Sequence, residues 1–419
     1  MRYSPLFITI LLLPGWALSV LAAEGRAAEP SAQPYTLPQV VTLAVAHHPS
    51  IAAAEGAVDQ SQGQRVTASA YPNPTITGSA GRGSIRDPST GVSITERTIT
   101  VEQPIEWAGK RTARQQVAEA GLAGARAGVE ETRLTLLADV KTAFYQLLFA
   151  QQDASLAKQN LKTAEDLMKV VGARVGTREA PKFEAIKANV EMQKARKEVT
   201  RAENALVVAR VKLDTLTGKA LGEHFAVQGE FEVFRQSLDL KTLVRHALDQ
   251  HPAIRRQQRL VEQAGFTVEQ ERASRMPDIS VQGTYHREAG DEAITAGLSV
   301  PIPIWYRRQG EIGTALGTQR RAQAERTRLQ QELEQAVTQY YQEVHTAQGQ
   351  IQVFEQGLLN QAKEALEIAQ FSFQHGVVNL LDVLDAQRVY RQTLLEYAQT
   401  RSDLSIALAR LERSAGGLP

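Results

Sequence analysis

Two carboxylates, Asp382 and Asp385, stand three residues apart in "NLLDVLDAQ". On a helix that spacing puts both on one face. A carboxylate face repeated around a symmetry axis favours cations and repels anions. Asp382 has an alternative role: with Asn379 as N-cap it falls at the third helical position, where a carboxylate suits the helix dipole. Asp385 lies too far in for that. The chain has 8 histidines and 4 methionines. No HxxxH or histidine–carboxylate cluster has zinc-site spacing, and the scattered methionines offer no thioether relay for Cu(I). His47-His48 and His251 precede prolines at matching places, which reads as a helix end, while His286 falls on the polar face of an expected strand. No metal site and no cofactor are expected. A Ser-His-Asp context, a phosphate loop and a dinucleotide motif are all absent, so the residues make no case for an enzyme.

The bulk numbers narrow the class further. Lys+Arg 47 against Asp+Glu 46 leaves a net charge of +1 in 419 residues, without the basic surplus that nucleic-acid binding needs. The absence of cysteine excludes disulfides, thiolate metal sites and a lipidated N-terminal cysteine. Arg2 precedes the apolar run "LFITILLLPGWALSVLAA" (6–23), interrupted at Pro14-Gly15 and ending in small residues. This predicts a signal peptide cleaved between Ala22 and Ala28, so that residues 1–28 hold the signal and the mature N-terminal tail. No later segment approaches the ~18 apolar residues of a membrane helix. The chain is an exported one.

The rest reads as one unit used twice. "LPQVVTLAVAHHPSI" (37–51) matches "LKTLVRHALDQHPAI" (240–254), and "YPNPTITG" (71–78) matches "MPDISVQG" (276–283). "ARVGT" (173–177) faces "FQHGV" (373–377), and the copies end at Gly218 and at Gly416-Gly417. The expected halves are 35–218 and 238–417, joined by a connector at 219–237. Each half has a first helix (38–70, 240–275), two strands (74–84 and 92–103, 278–287 and 292–300), a very long helix (108–172, 308–373) broken by Gly176 or Gly376, and a final helix (181–216, 379–415). Ile279, Val281, Gly283 and Tyr285 alternate with polar neighbours, as do Ile294, Ala296 and Leu298. The polar loop 287–293 separates these two strands. Val92 and Ile94 fall out of phase with Ile99 and Val101, which suggests a bulge. A 65-residue helix is on the order of 100 Å long and must pack lengthwise on others.

Strand passes to helix through the same sequence in both halves: "TITVEQPIEWAGKR" (98–111) and "AGLSVPIPIWYRRQ" (296–309). A tilted membrane strand has about 9–11 residues. Four such strands cannot close a barrel, and open edges do not survive in lipid, so three chains supplying twelve strands satisfy both conditions. Trp107, Trp305 and Tyr306 then sit at belt height, with Lys110, Arg111, Arg307 and Arg308 reaching toward headgroups. Pro104 and Pro301 would end the ladder, because proline donates no hydrogen bond. An exported coiled-coil protein with a soluble sheet is the alternative of another class.

These motifs, with "HHPSI", "HPAI", "YPNP" and "GVVNLLDVLDAQ", resemble the TolC family of outer-membrane efflux proteins over residues 35–417. "EQPIEWAGKR" and "VPIPIWYRRQGEI" resemble its CzcC-like heavy-metal branch. The resemblance implies an α+β membrane protein with a two-fold internal repeat. A long α-helical barrel would be continuous with a homotrimeric twelve-stranded transmembrane β-barrel, four strands per chain. It implies the outer membrane of a Gram-negative bacterium with a large periplasmic part, a periplasmic adaptor and an inner-membrane RND-type pump as partners, and outer-membrane lipid around the barrel. The implied activity is passive conduction, of heavy-metal cations for this branch, or of organic compounds or a secreted protein. Asp382 and Asp385 match positions lining the periplasmic entrance. Lys182 and Ala185 stand near those places in the first copy, so no second acidic ring is expected. Arg174, Val175, Gly176 and Thr177, with His375, Gly376 and Val377, match the tips that contact the adaptor. Phe373, Val378 and Lys182 do not reproduce the polar links that hold relatives shut.

Overall fold

Helices α1 (Leu37–His47) and α2 (Pro49–Ser69) lead into strands β1 (Thr75–Ser84) and β2 (Ser93–Ile105), then into α3 (Lys110–Gly176) and α4 (Lys182–Leu216). The order recurs with α5 (Leu240–Gln250), α6 (Pro252–Ala273), β3 (Ile279–Glu288), β4 (Asp291–Ser299) and α7 (Gln309–Val353). A π-helical turn (Phe354–Leu358), α8 (Leu359–Gln374) and α9 (Leu380–Ala415) complete it. This computed structural model describes residues 34–84, 93–233, 239–288 and 290–417. The expected signal peptide and Val92 lie outside them. Among the described residues no helix is long and apolar enough to cross a membrane.

Small residues at seven-residue spacing explain the long helices. Ala143, Ala150, Ala157, Ala164 and Val171 are buried along α3, which runs 67 residues, and Ala188, Ala195 and Ala202 along α4. A strict heptad keeps one seam facing its partner through a left-handed supercoil, and alanine lets the axes approach closely. Larger side chains gather where the short helices cap the long ones. Val40 and Ala44 of α1 pack with Phe144 and Leu147 of α3 and Leu213 of α4; Leu243 and Ala247 of α5 pack with Val337 and Val344 of α7 and Leu411 of α9. The connector is more than a tether. Its Phe225, Val227 and Phe231 are buried in the first of these cores. The Gln151 amide accepts from Val227 N (3.1 Å) and donates to Val227 O (3.2 Å), as a neighbouring strand would.

The expected first helix is two helices in each half, broken at His48-Pro49 and His251-Pro252. Proline at N1 starts the second helix, and the histidine before it caps that helix through its side chain. His251 Nδ1 accepts from Ala253 N (3.1 Å), and Nε2 donates to Arg413 O of α9 (3.1 Å). Burial holds the His251 pKa below its ordinary value, in keeping with a neutral ring. The second long helix also differs from expectation. Gly357 (φ 156) opens the π-helical turn, and Glu355 there accepts from Tyr397 OH of α9 (2.9 Å). The first copy has no such interruption in α3.

The four strands form one antiparallel sheet in the order β1-β2-β3-β4. The β1/β2 register is unbroken from Thr75↔Glu102 to Ser84↔Ser93, so the expected bulge is absent from it. Nor does Pro104 end its strand, since it pairs opposite Ser280. It lies beyond Thr75, the first paired residue of β1. Its carbonyl accepts from the Gln103 side chain (2.8 Å), which also bonds Pro72 O (3.0 Å), so no ladder N–H is required on that side. In the second copy β4 does stop at Ser299, before Pro301. The expected loop 287–293 is much tighter, because pairing continues to Glu288↔Asp291.

Each half closes on its own kink. Gly416 (φ 80) ends α9, and a Cβ there would stand 3.0 Å from His251 Cα; Gly218 (φ 66) stands likewise 2.6 Å from His47 O. Gly416→Ala should therefore lower the apparent unfolding temperature, by strain of about 1–3 kcal/mol. Gly349→Ala, in open space within α7, should leave it unchanged or raise it. Thermal unfolding of both variants checks this, and equal responses would show that the α9 terminus yields freely.

Candidate functional site

Three places hold the residues singled out by the sequence: two helical tips, the two faces of the sheet, and the strand-to-helix junctions. At the tips α3 turns into α4, and α8 into α9. Val171, Ala188, Phe373, Leu380 and Val383 form a small buried core there, and the Arg174 guanidinium stacks over Phe373 at 4.8 Å. The hydrogen bonds of the two turns match with an offset of two residues from the sequence alignment. Thr177 N, Arg178 N and Glu179 N donate to Ala173 O, Val175 O and Arg174 O; His375 N, Gly376 N and Val377 N donate to Phe371 O, Phe373 O and Ser372 O. The structural equivalent of Gly376 (φ 76) is thus Arg178 (φ 61), and Gly176 is still helical. The long helix does end at Gly176, as expected, but the residue that takes the positive φ of the turn is Arg178. Arg178 takes the left-handed conformation because the hydrogen-bonded turn, also held by Thr177 Oγ1 to Arg174 O (3.1 Å), leaves it no other.

The offset changes the inventory of acids. The first-copy equivalent of Asp382 is Glu184, in the first turn of α4, and that of Asp385 is Lys187. Glu184 was missed because the shared glycine anchored the alignment two residues away. Asp382 and Asp385 are both exposed on one side of α9. Asp382 also completes a capping box, accepting from Asn379 N (3.1 Å) while Asn379 Oδ1 accepts from Asp382 N (3.2 Å). Asp385 is ion-paired to exposed Arg388.

Over most of its length the sheet separates its chemistry. One face carries Ile76, Ile99, Val101, Ile105, Val281, Tyr285, Ile294 and Leu298; Ile294 is 85% and Leu298 74% exposed in the single chain. The other face carries threonines and acids. Thr98 Oγ1 meets His286 Nδ1 at 2.9 Å, Thr100 meets Thr284 at 3.1 Å, and His286 lies 3.8 Å from Glu96 and 3.4 Å from Glu288. Among the described residues, no group of three His, Asp or Glu side chains is arranged to hold a metal ion.

At the junctions the aromatic residues point out and most of the cations point in. Trp305 is 89% exposed, and Trp107 and Tyr306 are exposed too. Lys110 Nζ bonds Asp278 Oδ1 (2.8 Å), which also accepts from Trp107 N (2.9 Å). Arg111 donates to Ser69 O (2.9 Å) and Tyr71 OH (2.8 Å), and Arg308 Nε to Glu271 (2.9 Å). Arg307 donates to Pro303 O (3.3 Å). Arg114 binds Glu106 and the last carbonyls of α2, Ala68 O and Ala70 O, both at 3.0 Å. Arg111, Arg114 and Arg308 lash the end of the preceding helix to the start of the long one, and Lys110 ties that start to the residue before β3, rather than reaching outward. Their partners Asp278, Glu271 and Glu106 carry no local signal in the sequence.

Burial pushes the Asp278 carboxyl up, but the Lys110 bond and the Trp107 N–H outweigh it and hold its pKa below the ordinary value. A depressed pKa means stability present above about pH 4 and lost as pH falls through the folded-state value. Lys110→Met should cost about 1 kcal/mol or less at neutral pH, given the half-exposed carboxylate. That cost should shrink toward pH 3. Thermal unfolding of variant and wild type at both pH values measures it; the same cost at both would mean that packing, not the ion pair, holds the junction.

Comparison with known proteins places this geometry. The family described as outer membrane efflux protein matches residues 40–219 and again 243–417. The cobalt-zinc-cadmium resistance protein CzcC of Cupriavidus metallidurans is 27% identical over 388 residues, covering 92% of this chain and 91% of that one. The pyoverdine export outer membrane protein OpmQ of Pseudomonas aeruginosa is 24% identical over 325 residues, 74% of this chain and 66% of that one. A solved structure of CusC, described in terms of folding and transmembrane channel formation, superposes with a TM-score of 0.80 at 16% identity, covering 91% and 92% of the two chains. The fold is that of the TolC-like channels, with four strands per chain, and it is a channel fold rather than an enzyme's. With both halves matched, the chain belongs to the outer membrane efflux protein family.

Proposed function

We propose that this chain is the outer-membrane exit duct of a tripartite efflux system, working as a homotrimer and conducting heavy-metal cations passively. The observation that carries the reading is the sheet. Its apolar face is uncovered, its outer edges at β1 and β4 have no partner among the described residues, and long helices leave it at one end only. Three copies joined edge to edge pair every strand, put Ile294 and Leu298 in lipid and turn the Thr- and Glu-bearing face to a water-filled lumen. Each half, 35–218 and 238–417, then contributes one hairpin and one helical tip, with 219–237 between them. Trp107, Trp305 and Tyr306 mark the periplasmic interface of the membrane. The tips, Arg174 to Thr177 and His375 to Val377, are the surface for a periplasmic adaptor fed by an inner-membrane RND-type pump. Asp382 and Asp385, joined by Glu184, line the entrance. The metal cargo rests on the similarity to the cobalt-zinc-cadmium resistance protein along nearly the whole chain. The similarity to the pyoverdine export protein supports a second reading, an organic cargo.

The entrance is tested in planar bilayers. The purified protein should size as a trimer by light scattering and show cation selectivity at neutral pH. Asp385→Asn unbalances Arg388 and should reduce that selectivity, and the Asp382→Asn, Asp385→Asn double variant more so. Reversal potential under a salt gradient is the readout. A stable folded monomer would remove the shared barrel, and an unchanged potential in the double variant would place these acids away from the constriction.

Docking is tested at the tips. Gly376→Val forces a β-branched residue to φ 76, whereas Gly176→Val sits in helical backbone with open space around it. Cross-linking to the adaptor and metal resistance in cells should fall strongly for the first and little for the second. Full docking by Gly376→Val would show that the second tip is not part of the contact.

A further inference from the structure

The apolar face of the sheet is not apolar to its end. Among the described residues it carries four charged side chains: Arg82 on β1, Arg97 on β2, Arg287 on β3 and Glu292 on β4. All four lie in two adjacent rows at the hairpin-turn end of the sheet, away from the helices. One row reads Ala80, Arg97, Arg287, Glu292 straight across the sheet. Arg97 and Arg287 are direct cross-strand partners. Like charges placed directly opposite destabilise a strand pair. Arg287 has partial relief from Glu292 at 3.4 Å. Arg97 has no carboxylate partner among the described residues. The adjacent acids Glu96 and Glu288 are turned to the other face, beside His286. Three arginines against one glutamate leave this rim positive.

The next row down is Gly78, Ile99, Tyr285 and Ile294, followed by Ile76, Val101 and Ala296 in the row beyond it. An exposed cationic row thus sits directly on an exposed apolar field. We propose that Arg97 and Arg287, with Arg82 beside them, bind the phosphate of an anionic lipid headgroup whose acyl chains lie along Ile99, Tyr285 and Ile294. A guanidinium fork matches phosphate oxygens bidentately, and one phosphate between two facing arginines turns their repulsion into two attractions. The apolar rows below select a lipid over a free anion. The site is on the two central strands, so closing the barrel through β1 and β4 leaves it open to lipid. This inference rests on the membrane reading above. Because the helices leave from the opposite end, the bound headgroup belongs to the outer leaflet.

The test uses the full-length assembled protein in neutral detergent, with thermal unfolding followed as lipid is added. The probes are lipid A, a doubly phosphorylated glucosamine lipid; phosphatidylcholine, a zwitterionic one; and inorganic phosphate. Lipid A should raise the unfolding temperature of the wild type, with little effect from the other two. Arg97→Gln and Arg287→Gln should each weaken the apparent lipid A affinity roughly fivefold. Without lipid, Arg97→Gln should be at least as stable as wild type, since the facing charges are relieved; a mere folding defect would give the opposite sign. An equal lipid A response in wild type and the double variant overturns the proposal. So does an inorganic phosphate response equal to that of lipid A, which would indicate an anion site without lipid. Flotation with liposomes is scored separately, and protein that fails to float refutes the membrane reading itself.

Discussion

A backbone N–H or C=O left without a partner in hydrocarbon costs several kcal/mol, and this sheet has one open edge at β1 and another at β4. That constraint orders the rest of the molecule. In the proposed shared barrel the sheet is completed by copies of itself, with two equivalent hairpins per chain, strands long enough to span the bilayer, and residues at each exit that fix the strand against the helix below. The duplication supplies the hairpins. The junction cations supply the fixing, because Lys110, Arg111, Arg114 and Arg308 satisfy the carbonyls and carboxylates at the point where β geometry becomes α. With the charges used internally, Trp107 and Trp305 are left exposed, as the proposed interface belt requires.

The repeat is faithful where it packs and divergent at the helical tips. His48 and His251 cap equivalent helices, and Gly218 and Gly416 close on equivalent kinks, because those contacts pack backbone closely and tolerate little change. The tips share one hydrogen-bond pattern yet reach it with Arg178 in one copy and Gly376 in the other. Only the second long helix is interrupted, at Gly357, where Phe354 and Glu355 lean on Tyr397 of α9. The second hairpin, which carries Asp382 and Asp385, is therefore held differently from the first. The acids are also not free charges: one serves the α9 N-terminus and the other faces Arg388. The field they contribute at the proposed entrance is what remains after these local roles.

Much of the fold was legible because its signals are local. Alternation in β3 and β4, prolines after His48 and His251, and the paired Trp-bearing exits all act over a few residues, and the structure follows them. The strand faces were legible for the same reason: parity along one strand decides which side Ile294 or His286 takes. What could not be read is pairing at long range. Lys110 meets Asp278 across 168 residues of chain and Arg201 meets Asp153 across 48. Nothing near any of the four announces its partner. The facing of Arg97 with Arg287 exists only because β2 pairs with β3 in one register, and a two-residue slip would separate them. The bulge inferred from the phase of the apolar residues fails for a related reason: the β1/β2 pairing holds one register from Ser93 to Glu102, and register is set by the partner strand. Glu184 was hidden by a glycine that looked equivalent and was not, since turn equivalence is decided by hydrogen bonds rather than by residue identity. The sequence alone thus determined the elements, the repeat and the family, through period and motif. Only the tertiary structure decided which charges are struts, which acids cap helices and which arginines confront each other, because those outcomes depend on register and on contacts that no local pattern encodes.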